Sequence, residues 1–102
     1  MGAVMAVFDF HGDSEELAAR YDDVLRKVVA ISSGRPMIHL AVPREYGFMV
    51  VDVWSSEDAL RVFEGNEDFR RVLQESGLPE PKLRVYPLHN LGWPVDAMPL
   101  YR

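Results

Sequence analysis

Apolar positions along this chain alternate between two periods. Residues 3–10 (AVMAVFDF) form a nearly continuous apolar run, the pattern of a central strand. Gly12, Asp13 and Ser14 break it, and Asp13 or Ser14 can cap a helix whose first turn carries Glu15 and Glu16. Over 14–31 the spacing of Leu17, Tyr21, Val24, Leu25 and Val28 predicts one helix with a single apolar stripe. Ser32, Ser33 and Gly34 end it, with Gly34 suited to a C-terminal cap. Residues 36–42 (PMIHLAV) and 47–54 (GFMVVDVW) read as two strands of a hairpin around a short turn at 43–47. Ser55 or Ser56 caps a second helix, with Glu57 and Asp58 in its first turn and Ala59, Leu60 and Phe63 on its buried side. Gly65 and Asn66 interrupt this helix, and 67–75 continues it with Phe69, Val72 and Leu73 inward. After a stiff connector at 77–81, residues 82–89 (KLRVYPLH) form a fourth strand, and Pro87 places it at a sheet edge.

The predicted order is β-α-β-β-α-β. It is an α+β, ferredoxin-like arrangement with one four-stranded antiparallel sheet and both helices on one face. Residues 1–91 make up this domain. Residues 92–102 contain Trp93, Met98, Leu100 and Tyr101, too apolar a set for a free end, so this tail is expected to dock on the domain or on a partner subunit.

Strand alternation sorts the sheet residues into two sets. Val4, Ala6, Phe8, Phe10, Ile38, Leu40, Val42, Met49, Val51, Val53, Leu83 and Val85 are all apolar and are assigned to the helix side. Met5, Val7, Asp9, Met37, His39, Ala41, Phe48, Val50, Asp52, Trp54, Arg84, Tyr86 and Leu88 form a mixed face. A face with so many large apolar groups needs a cover, and a second copy packed sheet to sheet supplies it, making a homodimer. With the two faces exchanged, the acid, histidine and tyrosine instead line a pocket inside each subunit.

Composition narrows the function classes. The 102 residues suit one domain, and 48% of them are hydrophobic, which again favours an oligomer. A net charge of −5 with scattered Lys and Arg argues against nucleic acid or an anionic membrane surface as partner. No cysteine is present, so disulfides, thiolate metal sites and cysteine nucleophiles are excluded. No signal peptide or membrane-length apolar run is legible, and a cytoplasmic protein is the expectation. The three histidines sit on different strands without ligand spacing, so no metal site is expected.

His39, Asp52 and Trp54 are the first candidate constellation. If Val42 opposes Gly47, His39 lies opposite Val50 and Asp52 is its diagonal neighbour. An imidazole oriented by a carboxylate can serve as a general base near neutral pH, and Trp54 can stack a flat ligand. The plainer reading is a buried His–Asp hydrogen bond with Trp54 as packing. Arg84 and Tyr86 are the second constellation: an oxyanion-binding pair, or simply residues at an interface rim. Asp9 and His11 are expected to make turn contacts before Gly12. Phe48, Met37 and His89 complete the candidate ligand-binding set, with His89 at a pocket mouth or bonded to the tail.

The run Val51-Asp52-Val53-Trp54-Ser55-Ser56-Glu57-Asp58-Ala59-Leu60, followed by Phe63, Phe69 and Arg70, resembles the dimeric α+β barrel superfamily. In particular it resembles the antibiotic-biosynthesis-monooxygenase-like (ABM) group. Residues 85–90 (VYPLHN) look like the closing strand of some members. The resemblance spans about residues 1–91. It implies a homodimer and a hydrophobic, aromatic or polyketide-like ligand. It also implies oxidation, cyclisation or isomerisation without a cofactor. A non-catalytic dimer of the same fold, structural or regulatory, is the alternative.

Overall fold

The computed structural model describes residues 2–31 and 34–91. Its elements run β1 (Val4–His11), α1 (Ser14–Val28), β2 (Ile38–Arg44), β3 (Gly47–Trp54), α2 (Glu57–Glu64), α3 (Glu67–Glu75) and β4 (Lys82–Pro87). All four strands pair antiparallel in the order β2-β3-β1-β4. The α+β, ferredoxin-like arrangement expected from the sequence is the one observed. The apolar strand β1 is central, and the Pro87-bearing strand β4 is at an edge. Residues 92–102, expected to dock as a tail, lie outside the described residues.

Each helix starts on a side-chain cap. Asp13, Ser56 and Asn66 each accept the backbone N–H three residues on, at 3.0 Å, which satisfies one otherwise orphaned donor per helix. The Asn66 cap is why Gly65 and Asn66 separate two helices, where the sequence had suggested one interrupted helix. Helix α1 ends at Val28, with Val29 as its cap, so Gly34 does not cap it. Gly34 instead takes a left-handed turn in the connector, at φ +95°. The hairpin ladder extends to Pro43 and Arg44, leaving only Glu45 and Tyr46 in the turn.

The sorting of residues into faces is corrected by the register. Val4, Ala6, Phe8 and Phe10 pair with Trp54, Asp52, Val50 and Phe48. These residues therefore share one face, together with His39, Leu83 and Val85. Alternation within each strand was read correctly, but the phase of β1 and β4 against β2 and β3 was inverted. The hairpin register also shifts by two residues: Arg44, not Val42, opposes Gly47, so His39 lies directly opposite Asp52.

The helices cover this shared face in two separate places. Leu60 of α2, fully buried, packs with Val4, Ala6 and Trp54 at one end of the sheet. Leu17 of α1 packs with Phe10, Phe48 and Val50 at the other. Phe8 touches both clusters. The reverse face carries Met5, Val7, Leu40, Val42 and Val51, with no helix over it. At one end of it Arg44 reaches Asp9 with bonds of 2.9 and 3.0 Å to the two carboxylate oxygens, so Asp9 bridges strands and makes no turn contact.

Gly47 is sterically required. A Cβ there would sit 2.4 Å from the Phe10 carbonyl oxygen, a backbone atom that cannot swing aside. Gly47→Ala should therefore destabilise the fold by roughly 2 kcal/mol or more, whereas Gly2→Ala, in open space, should change stability by less than about 0.5 kcal/mol. Urea denaturation of both variants checks this; equal stabilities would contradict the close approach.

Candidate functional site

A cleft of about 970 Å³ opens on the helix-bearing face of the sheet, walled by α1 and α3. Its floor is Phe8, Val50, His39 and Asp52; α1 contributes Tyr21, Val24 and Val28, and α3 contributes Phe69 and Leu73. Arg35, Glu64 and Arg70 bring charge to a wall that is otherwise mostly apolar.

Asp52 is set into this floor by the alternation of β3, which turns Phe48, Val50, Asp52 and Trp54 towards the helices. It is 7% exposed and is the one buried charged residue among those described. A carboxylate so placed is costly unless paired. His39, directly across the ladder, supplies the pair: its Nδ1 lies 2.5 Å from Asp52 Oδ1. The other ring nitrogen, Nε2, is hydrogen-bonded to the Tyr21 hydroxyl. The tyrosine and imidazole rings are nearly parallel, at 10° with centroids 5.8 Å apart, and Tyr21 also packs on Phe48.

This chain of three groups has a clear electrostatic sense. The hydrogen bond that Asp52 accepts from Nδ1–H holds the His39 pKa above its ordinary value; partial burial opposes this, and the charge of Asp52 adds to it. The Tyr21 phenol is also pushed up, first by burial and then by the negative charges of Asp52 and Asp22. Tyr21 thus keeps its proton near neutral pH, while His39 can exchange one.

The other sequence candidates do not converge here. Arg84 and Tyr86 pair with Val7 and Met5 on the opposite face of the sheet, so the sheet itself separates them from His39 and Asp52. Trp54 is 2% exposed, lies beneath α2 against Phe63, and forms no wall of the cleft. Its Nε1 is buried without a partner among the described residues. Phe48 is a core residue that supports Tyr21 from below. Met37 and His89 are exposed and do not line the cleft.

Tyr21 is the site residue that sequence reading missed, because it occupies an ordinary position in the apolar stripe of α1. The available signal was chemical: it is the one stripe residue with a polar tip, and a buried phenol needs a partner. Among the described residues no cluster of His, Asp and Glu could hold a metal ion, and no helix is long and apolar enough to cross a membrane.

Solved structures share this fold. A proposed antibiotic biosynthesis monooxygenase from Caulobacter crescentus superposes with a TM-score of 0.68 at 17% identity, covering 87% of this chain and 92% of that one. SnoaB, a cofactor-independent oxygenase from Streptomyces nogalater, gives 0.69 at 13% identity, over 89% and 97% of the two chains. A dimeric ferredoxin-like protein of unknown function from Thermobifida fusca gives 0.59 at 14% identity, over 86% and 93%. No protein-family model and no curated protein matches the sequence. The ABM-like resemblance read from the sequence therefore holds at the level of fold.

The His39–Asp52 pair makes stability depend on pH. A group that binds its proton more tightly folded than unfolded stabilises the fold below its unfolded pKa. That contribution is lost as pH rises through the higher folded value. The melting temperature of the wild type, relative to His39→Gln, should therefore fall as pH is raised from the ordinary histidine pKa of about 6.5 into the alkaline range. A difference that stays flat or grows over that range would show that the folded chain does not favour the imidazolium.

Proposed function

We propose that this protein binds a hydrophobic, aromatic or polyketide-like small molecule in the cleft and transforms it without a cofactor. The reaction class is oxidation, cyclisation or isomerisation begun by removal of a proton, with His39 as base and Asp52 as its orienter. The carrying observation is the pairing of buried Asp52 with His39 in the floor of an apolar cleft of about 970 Å³, within the range of small-molecule sites. The fold shared with a cofactor-independent oxygenase supports the same class. Arg84 and Tyr86 are left out of this site by their position on the other face.

A second reading rests on a specific observation: both nitrogens of His39 already have partners. On that reading the pair only satisfies a buried acid, and the protein is a non-catalytic dimer. The two are separated by incubating the protein with a panel of planar phenols in air-saturated buffer and following products by mass spectrometry. His39→Ala should lower turnover by about 10²-fold or more while leaving the oligomeric state unchanged. Undiminished turnover in that variant would sink the assignment of the base.

The open face of the sheet is the proposed dimer surface. Leu40 and Ile38 are 53% and 42% exposed, and Met5, Val7, Val42 and Val51 extend the patch across three strands. A second copy of this chain covers such a face without new chemistry, as sheet-to-sheet packing requires. Leu40→Asp, on the exposed edge strand, should convert a dimer to monomer in analytical ultracentrifugation at micromolar concentration. An unchanged sedimentation coefficient would place the contact elsewhere.

A further inference from the structure

We infer that Tyr21, and not His39, is the group that touches the bound molecule, and that this molecule presents a phenol or enol hydroxyl to it. The inference deepens the proposed function and rests on the cleft being the ligand site.

The argument is one of hydrogen-bonding valence. Imidazole has two nitrogens, and here Nδ1 is engaged by Asp52 and Nε2 by Tyr21. Nothing on His39 remains to meet a ligand. The tyrosine hydroxyl has one O–H and two acceptor lone pairs, and His39 takes only one of these valences. Tyr21 lines the cleft alongside His39, so its remaining valences are the ones available to a molecule there. With His39 neutral and Nδ1–H donating to the Asp52 carboxylate, Nε2 accepts the Tyr21 O–H. The phenol oxygen then offers only lone pairs, and its complement is a ligand O–H. Phe8, Val24, Val28, Phe69 and Leu73 surround the rest with apolar surface, which suits a flat, poorly hydrated ring system.

The same chain can move the proton. The ligand O–H bond breaks as its proton passes to the Tyr21 oxygen, and the Tyr21 proton passes to His39 Nε2. The products are a ligand phenolate or enolate, a neutral Tyr21 and a His39 imidazolium held by the Asp52 carboxylate. In that state Nε2–H donates to the Tyr21 oxygen and the new Tyr21 O–H donates to the ligand oxyanion. The ligand–Tyr21 and Tyr21–His39 hydrogen bonds are kept with their directions reversed, Nδ1–H still donates to Asp52, and no net charge enters or leaves the site. The raised Tyr21 pKa fits a phenol that relays a proton without resting as an anion. His39 is then a positioning and proton-storing residue.

The test uses 4-phenylazophenol, whose ionisation is read from its visible absorbance, beside azobenzene, which lacks the hydroxyl. The wild type should bind the phenol about tenfold more tightly than azobenzene, the worth of one hydrogen bond. The bound probe should also show phenolate absorbance at a pH where the free probe is neutral. Tyr21→Phe should bind azobenzene within about twofold of wild type yet lose both the preference and the phenolate band. His39→Gln, with Tyr21 still present, should lose the band but keep most of the preference. If Tyr21→Phe keeps the preference and the band while His39→Gln loses the band, His39 meets the ligand directly. That result overturns the inference and leaves the cleft reading standing. If the wild type binds neither probe saturably, the cleft reading falls and the inference with it.

Discussion

A carboxylate in the middle of a sheet, under the helices, constrains everything around it. Asp52 sits at a position where the strand pattern asks for an apolar residue, opposite Ala6, which is fully buried. Leaving it charged and unpaired would cost several kcal/mol, enough to consume much of the stability of a small domain. The register of the β2–β3 hairpin answers this by bringing His39 directly across from it. A slip of two residues would keep every side chain on its face but separate the pair. The pair therefore specifies register as well as chemistry, on a strand whose seven residues are all exposed and otherwise weakly held. Tyr21 completes the arrangement from α1, so the acid, the edge strand and the first helix are fixed by one line of hydrogen bonds.

The cleft follows from how the helices divide the sheet. Leu17 anchors α1 over the Phe48 end of β3 and Leu60 anchors α2 over the Trp54 end. Between these anchors Phe8, Val50 and Asp52 form the floor of the cleft, and α1 and α3 wall it. Asp52 itself is nearly buried, and its charge reaches the cleft through His39 and Tyr21. An acid at a position that would otherwise be aliphatic thus gives the apolar cleft its polar end.

Much of this was legible in the chain. The caps Asp13 and Ser56, the edge-marking Pro87 and the apolar run of β1 carry local signals, and all the elements appear near their expected places. The two faces were not legible, because alternation fixes sides within a strand and says nothing of the phase between β1 and β3, which are separated by a helix. That phase is set by tertiary packing: Phe8 and Phe10 must share a side with Val50 and Phe48 for the four to pack in one cluster with Leu17 of α1. The error carried directly into the site. It joined Arg84 and Tyr86 to His39 and Asp52 through a sheet that in fact divides them. It also made Trp54 a ligand wall when it is core. Tyr21 stayed hidden because helical periodicity reports that a side chain is inward, and not what its polar tip meets.

Strand β2 links the two surfaces that matter. Its alternation turns His39, which lines the cleft, and Ala41 to the helix-bearing face, and Ile38, Leu40 and Val42 to the open face. On its own the strand has one ladder neighbour and no cover on its outer side. A second copy seated on the open face would bury the aliphatic half of β2 and stiffen the half that carries the imidazole. The hydrogen bonds through His39 tolerate little movement, since a displacement of about 1 Å takes a donor and acceptor out of bonding range. Assembly and proton transfer would then draw on alternate residues of one strand. Mutations on the open face would disturb the His39–Tyr21 bond without touching the cleft.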